Sequence, residues 1–118
     1  MKMNYVVLGT NQMQEAVRFY DALFEGTSMR KVDSGGRMTV WKGEDFMFAL
    51  AEPIDGEPAT RGNGTMVGFS LGSPSEVERL YGTALKLGGA DEGELRVRSG
   101  RFSGYVRDLD GNKICLYE

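Results

Sequence analysis

The chain has 118 residues, a length that suits one domain with its own core. Seventeen acidic against 14 basic residues give a formal charge of −3, which argues against nucleic acid as the main partner. One cysteine and no histidine exclude an internal disulfide and every catalytic arrangement that needs an imidazole.

The first element is an alternating strand, Tyr5 to Gly9, with Val6 and Leu8 on one face and Tyr5, Val7 and Gly9 on the other. A helix is predicted roughly from Gln12 to Phe24, with Asn11 as its candidate N-cap. Met13, Ala16, Val17, Tyr20 and Leu23 form its apolar stripe. Strand signals follow at Met29 to Val32, Met38 to Trp41 and Phe46 to Ala51, separated by turns at Ser34-Gly35-Gly36 and Lys42-Gly43-Glu44-Asp45. Glu52 to Gly64, with two prolines and three glycines, reads as a link.

Beyond the link the pattern restarts. Val67, Phe69 and Leu71 oppose Met66, Gly68 and Ser70 on a second strand. The next helix is well signed: Ser73 as N-cap, Pro74 at the first helical position and Glu76 to complete a capping box. Val77, Leu80, Tyr81, Ala84 and Leu85 form its core face, and Gly88-Gly89 ends it. Strands are predicted at Leu95 to Arg98, Phe102 to Arg107 and Lys113 to Tyr117. The last two are joined through Asp108 to Asn112, where Asp110-Gly111 tolerates positive φ. In the final strand Cys115 and Tyr117 share one face, Ile114 and Leu116 the other.

An offset of 61 superimposes the two halves without a gap through a strand and its helix: Val6 falls on Val67, Arg18 on Arg79 and Tyr20 on Tyr81. Each half is therefore βαβββ, the first at about residues 1–56 and the second at about 62–118, both within a single domain spanning 1–118. The duplication, the Phe19-Tyr20 pair and the Asp108–Asn112 hairpin together resemble the glyoxalase / bleomycin resistance / extradiol dioxygenase (vicinal oxygen chelate) superfamily, over essentially the whole chain.

The resemblance implies an α+β fold. Tandem βαβββ modules would form a cup-shaped, eight-stranded mixed sheet with helices on the convex side. The residues opposite the helix-facing set would then line the cup as ligand-binding positions: Tyr5, Val7, Met66, Ser70, Tyr105, Arg107, Cys115 and Tyr117. Trp41, the only Trp, either walls the cup or packs against a partner chain. Tyr105 resembles the cavity-facing Tyr of the extradiol dioxygenases; it reads equally as a half-buried strand residue.

Metal-dependent relatives carry ligands at positions that match Tyr5, Met66 and Cys115 of this chain, with a fourth on the strand Phe46 to Ala51. A phenol, a thioether and a thiol do not make a site for Zn²⁺, Ni²⁺ or Fe²⁺, so neither a metal nor another cofactor is expected. Nucleotide and calcium motifs fail on spacing: the glycines at 62–68 precede a strand, and Asp108 to Asn112 lacks a closing Glu. Arg96, Arg98 and Arg101 form a small basic cluster, either a solvated strand face or a contact for an anion.

The leading expectation is a metal-independent protein of the bleomycin-resistance type that holds a small organic molecule. The alternative is a lyase-like or dioxygenase-like enzyme with a non-standard site; a third is an interaction module without a ligand. The resemblance and the exposed sheet edges point to a homodimer. The single cysteine points to the cytoplasm, and the apolar run Tyr5 to Leu8 is too short for a membrane span or signal core.

Overall fold

The same strand order is built twice in the computed structural model, which describes residues 1–118. The chain divides into two compact units, Met1–Thr60 and Arg61–Glu118. The first contains β1 (Tyr5–Gly9), α1 (Met13–Phe24), β2 (Arg30–Asp33), β3 (Met38–Lys42) and β4 (Met47–Ala51). Its sheet runs β1-β4-β3-β2, with β1 parallel to β4 and the other pairs antiparallel. The second contains β5 (Val67–Ser70), α2 (Pro74–Lys86), β6 (Ala90–Arg98), β7 (Arg101–Arg107) and β8 (Lys113–Tyr117), in the corresponding order β5-β8-β7-β6. This is an α+β fold of two βαβββ modules. Hydrogen bonding divides the eight strands into two four-stranded mixed sheets, one per module.

In the first unit α1 closes one face of its sheet. Register places Val6 beside Phe48 and Leu8 beside Leu50, and Trp41 beside Phe48 on the antiparallel side. Leu8, Trp41, Phe48 and Leu50 are all buried, as are Ala16, Phe19, Tyr20, Leu23 and Phe24 of the helix. The Tyr20 ring centres this core, 4.7 Å from Phe48, 5.5 Å from Phe24 and 6.0 Å from Trp41. Tilted and edge-to-face pairs of this kind contribute about 0.5–1.5 kcal/mol each beyond area burial. Val17, expected in the apolar stripe, is only half-buried, and Phe19 and Phe24 occupy the core instead.

Asn11 does not cap α1. The N-cap is Gln12, without a side-chain cap bond, and its amide donates to Thr10 Oγ1 at 3.1 Å. The Asn11 amide instead holds the link: Nδ2 donates to the Ala59 carbonyl at 2.9 Å and Oδ1 accepts from the Ala59 N–H at 2.7 Å. Gly9 makes room for this, because a Cβ there would stand 2.8 Å from Ala59 Cβ.

In the second unit α2 buries Val77, Leu80 and Ala84 against a face formed by Phe69, Val106, Ile114 and Leu116. Gly104 allows the close approach, since a Cβ would meet the Tyr81 ring at 2.8 Å and Leu95 Cδ2 at 3.0 Å. Ser73 Oγ accepts from the Glu76 N–H as predicted. The reciprocal half of the capping box is replaced: the Glu76 carboxylate takes two bonds from Arg79, at 2.7 and 2.9 Å. That pairing holds the Glu76 carboxyl below its ordinary pKa.

Two other expectations change. β6 begins at Ala90, five residues before the predicted Leu95, because register shifts between Asp91 and Gly93 and between Gly93 and Arg96 break the alternation that marks a strand. In the last hairpin only Gly111 takes positive φ, at 83°. Asp110 does not; Asp108 closes the turn by accepting from the N–H groups of Asp110 and Asn112 at 2.9 Å each. Two consecutive positive-φ residues occur instead at Ser99-Gly100, between β6 and β7, and at Gly35-Gly36, between β2 and β3.

Candidate functional site

Each sheet has one face under its helix and one open face, and the open faces carry the candidate positions. In the first unit Tyr5 and Val7 lie on the open face of β1, 62% and 40% exposed. Register sets them beside Met47 and Ala49 of β4, and Val40 of β3 beside Ala49. This surface is apolar, with one phenol at its edge.

Trp41 is not part of it. Its neighbours in β3, Val40 and Lys42, face the open side, whereas Trp41 is 1% exposed beneath α1. Its Nε1 donates to Asp21 Oδ1 on the helix at 2.9 Å. It therefore neither walls an open-face cavity nor presents itself to a partner chain. A shallow depression of about 210 Å³ reaches its edge, between Asp21, Phe24, Thr27, Met29 and Lys31. Lys31 Nζ is paired there with Asp21 Oδ2 at 2.7 Å, and Glu25 also lines the depression.

The open face of the second unit is different in kind. Cys115 of β8 pairs with Tyr105 of β7 on one side and Gly68 of β5 on the other; Tyr117 pairs with Ser103 and Ser70. Gly68 leaves space for the Tyr117 ring, which a Cβ would approach to 3.3 Å. Met66 precedes β5 and is 48% exposed. Arg107 is engaged locally, donating from Nε to Glu92 at 3.2 Å and from Nη1 to the Gly111 carbonyl at 3.0 Å.

Two side chains outside the expected set complete this surface. Arg98 lies over the Tyr105 ring, 4.8 Å from its centroid, and donates to the Ser103 carbonyl at 2.8 Å and the Glu94 carbonyl at 2.6 Å. Lys113 Nζ stands 5.0 Å from the same centroid. Strand parity with Cys115 was the available signal for Lys113. For Arg98 the signal was its place in the Arg96, Arg98 and Arg101 cluster, and its regular pairing with Arg101 puts it on the Tyr105 face.

Burial raises the Cys115 thiol above its ordinary pKa, opposed by a hydrogen bond from Tyr105 and by the charges of Arg98 and Lys113. A thiol held protonated is a poor metal ligand. Tyr5 offers a phenol and Met66 a thioether, while β4 contributes only Met47, Phe48, Ala49, Leu50 and Ala51. No group of three His, Cys, Asp or Glu side chains is arranged to hold a cation. The donors at these positions do not fit a divalent metal of the zinc, nickel or iron type.

The sequence matches the family model described as the Glyoxalase/Bleomycin resistance protein/Dioxygenase superfamily over residues 2–116. The chain belongs to that superfamily. A glyoxalase/bleomycin resistance protein from Albidiferax ferrireducens T118 is similar to this superfamily member at 30% identity and a TM-score of 0.92, covering 98% of this chain and 96% of that one. A glyoxalase-related enzyme from Fulvimarina pelagi shares the fold at 19% identity and a TM-score of 0.82, over 99% and 87% of the two chains. A lactoylglutathione lyase from Agrobacterium tumefaciens shares it at 21% identity and 0.72, over 99% and 92%. No match to a curated protein was found. No helix is long and apolar enough to cross a membrane.

Proposed function

We propose that this superfamily member binds a small, partly aromatic organic molecule on its open sheet faces, in the manner of a bleomycin-resistance protein and without a catalytic metal. One observation carries the reading. The positions that match the family's metal ligands hold Tyr5, Met66 and Cys115, a donor set without imidazole or carboxylate. The surroundings suit recognition of a ring: in the second unit Tyr105 and Tyr117 supply stacking faces and phenols, and Met66 and Ser70 adaptable apolar and polar contacts; in the first unit Tyr5 and Val7 offer a phenol and an apolar surface. Arg107, tied to Glu92 and Gly111, would act at the rim.

The proposal includes a single domain made of both modules, a homodimer and a cytoplasmic location. Support for pairing comes from the sheet edges: β1 and β2 bound the first sheet, β5 and β6 the second, and all four residues of β2 are exposed. Light scattering at micromolar concentration should give about twice the 13.0 kDa chain mass; a 13.0 kDa species alone removes the dimer.

Native mass spectrometry of protein purified without a histidine tag tests the function. A co-purified organic molecule with well under one equivalent of Zn, Ni, Fe or Mn is the expected result. Stoichiometric metal, whose removal by a chelator abolishes an activity, overturns it in favour of an enzyme.

A further inference from the structure

We infer that the ligand is an organic anion, an aromatic acid whose carboxylate, phosphate or sulfonate docks against Arg98 and Lys113, the two cations that flank Tyr105 on the open face of the second sheet. The inference rests on the ligand-binding reading above and adds the chemical class and the two residues that select it.

The chain carries an excess of acidic residues, 17 against 14. Its ion pairs are Lys2–Asp45, Lys31–Asp21, Arg79–Glu76 and Arg107–Glu92. Arg96, Arg98, Arg101 and Lys113 appear in none of them. Register puts all four on one surface: Arg96 opposite Ser103, Arg98 opposite Arg101, and Lys113 in line with Cys115 and Tyr117. Ten of the 14 basic side chains stand outside these pairs, and four of the ten share this one sheet face.

Three of the four, Arg98, Arg101 and Lys113, are positioned against tyrosine rings rather than merely solvated. Arg98 Nη1 donates to the carbonyl and the hydroxyl of Ser103 at 2.8 and 3.3 Å, and Nη2 to the Glu94 carbonyl at 2.6 Å. A guanidinium has five N–H donors, so Nε–H and one Nη2–H are left for a ligand. Gly93 permits this placement, since a Cβ there would lie 2.6 Å from the Tyr105 ring and 3.2 Å from Arg98 Nη2. Lys113 brings a second positive charge to the same ring, and Arg101 stands 5.4 Å from the Tyr117 centroid. Two like charges flank one tyrosine and repel each other, and an anion beside them relieves that repulsion. The adjoining Tyr105, Ser103 and Cys115 carry no carboxylate, and the nearby Glu92 carboxylate is paired with Arg107, the register partner of Lys113. The tyrosine rings beside the cations supply the faces on which an aromatic body stacks.

Fluorescence titration with a matched pair of probes tests the inference. 1-Anilinonaphthalene-8-sulfonate carries the anion; N-phenyl-1-naphthylamine has the same rings without it. The intact protein should bind the sulfonate at least tenfold more tightly at low salt, and the preference should shrink as salt is added. Lys113→Met should weaken the sulfonate fivefold or more and leave the neutral probe unchanged. Lys86→Met, a charge-matched change on α2, should alter neither. Arg98→Met should act like Lys113→Met; since Arg98 also ties β6 to β7, the lysine variant decides the matter if the arginine variant fails to fold. Equal affinity for the two probes, or a sulfonate affinity unmoved by Lys113→Met, overturns the anion assignment while retained neutral binding leaves the ligand-binding reading standing. Binding of neither probe also overturns the assignment, and the co-purified ligand then tests the function separately.

Discussion

The Trp41 indole and the Asp21 carboxylate are joined by a hydrogen bond of 2.9 Å, and this bond ties β3 to the helix above it. The only Trp of the chain is thereby placed in the core, among Tyr20, Phe24 and Phe48. Asp21 also meets Lys31 of β2, so one carboxylate holds a helix, a central strand and an edge strand together.

Removing either partner of that bond should destabilise the first unit. Asp21→Ala leaves a buried indole N–H unsatisfied, a cost of about 1–3 kcal/mol. The Lys31 pair adds little, since both its side chains are more than a third exposed. Trp41→Phe removes the donor and part of a packed ring, for roughly 1–3 kcal/mol. The double variant should cost less than the sum, because the orphaned group is lost with its partner. Urea midpoints with an unchanged slope measure all three; strict additivity would deny the coupling.

The Asn11–Ala59 clasp should govern the link between the halves. Asn11→Ala removes two bonds from an exposed site where water replaces them in part, so the stability loss is about 0.5–1.5 kcal/mol. Gly9→Ala should displace the same segment by steric contact with Ala59. Both should speed hydrogen exchange at the Ala59 amide and proteolysis within 52–60. Unchanged protection at Ala59 in either variant would argue that something else holds the segment.

Cys115 sets a pH dependence whose sign follows from its raised pKa. The folded state keeps the thiol proton more tightly than the unfolded chain does, so above the ordinary thiol pKa the native state binds more protons. The contribution is fully present below the unfolded value and is lost as pH rises through the folded one. The stability difference between wild type and Cys115→Ala should be constant near neutrality, set by the lost packing of the buried sulfur, and should shift against the wild type above about pH 8.5. The same thiol should react slowly with a disulfide reagent at pH 7.5. Rapid labelling of folded protein, or parallel stability curves up to pH 10, would contradict the assignment.

Tyr105 should separate stacking from hydrogen bonding. Tyr105→Ala should weaken the sulfonate probe by roughly 1–3 kcal/mol, and Tyr105→Phe by about 0.5–1.5 kcal/mol, since the ring stays and the hydroxyl goes. Titration at fixed salt distinguishes them. Equal affinities for wild type and Tyr105→Ala would remove this ring from the site.

The repeated module was readable from the chain because its signals are local. The 61-residue offset, the alternation in Tyr5–Gly9 and Val67–Ser70, and the Ser73-Pro74 helix start each lie within a short window. The same alternation indicated which faces carry Tyr5, Val7, Cys115 and Tyr117. For β8 it sufficed because Ile114 and Leu116, on the other face, are plainly core residues.

What the tertiary structure decided was the side of Trp41, the partner of Asn11 and the reach of Arg98. In β3, Met38 and Val40 on one face are as apolar as Trp41 on the other, so alternation alone names no core side; packing against Tyr20 and Phe24 does. Asn11 sits where a cap is favoured, yet its amide finds both backbone groups of a residue 48 positions away. Arg98 lies over Tyr105 where Gly93 stands opposite that ring, a pairing set by the two register shifts in β6. A bulge is a property of a strand pair, so no pattern within one strand encodes it. Residue types and local periods determined the modules and the histidine-free donor set of this chain, and long-range pairing decided which charges surround the tyrosines.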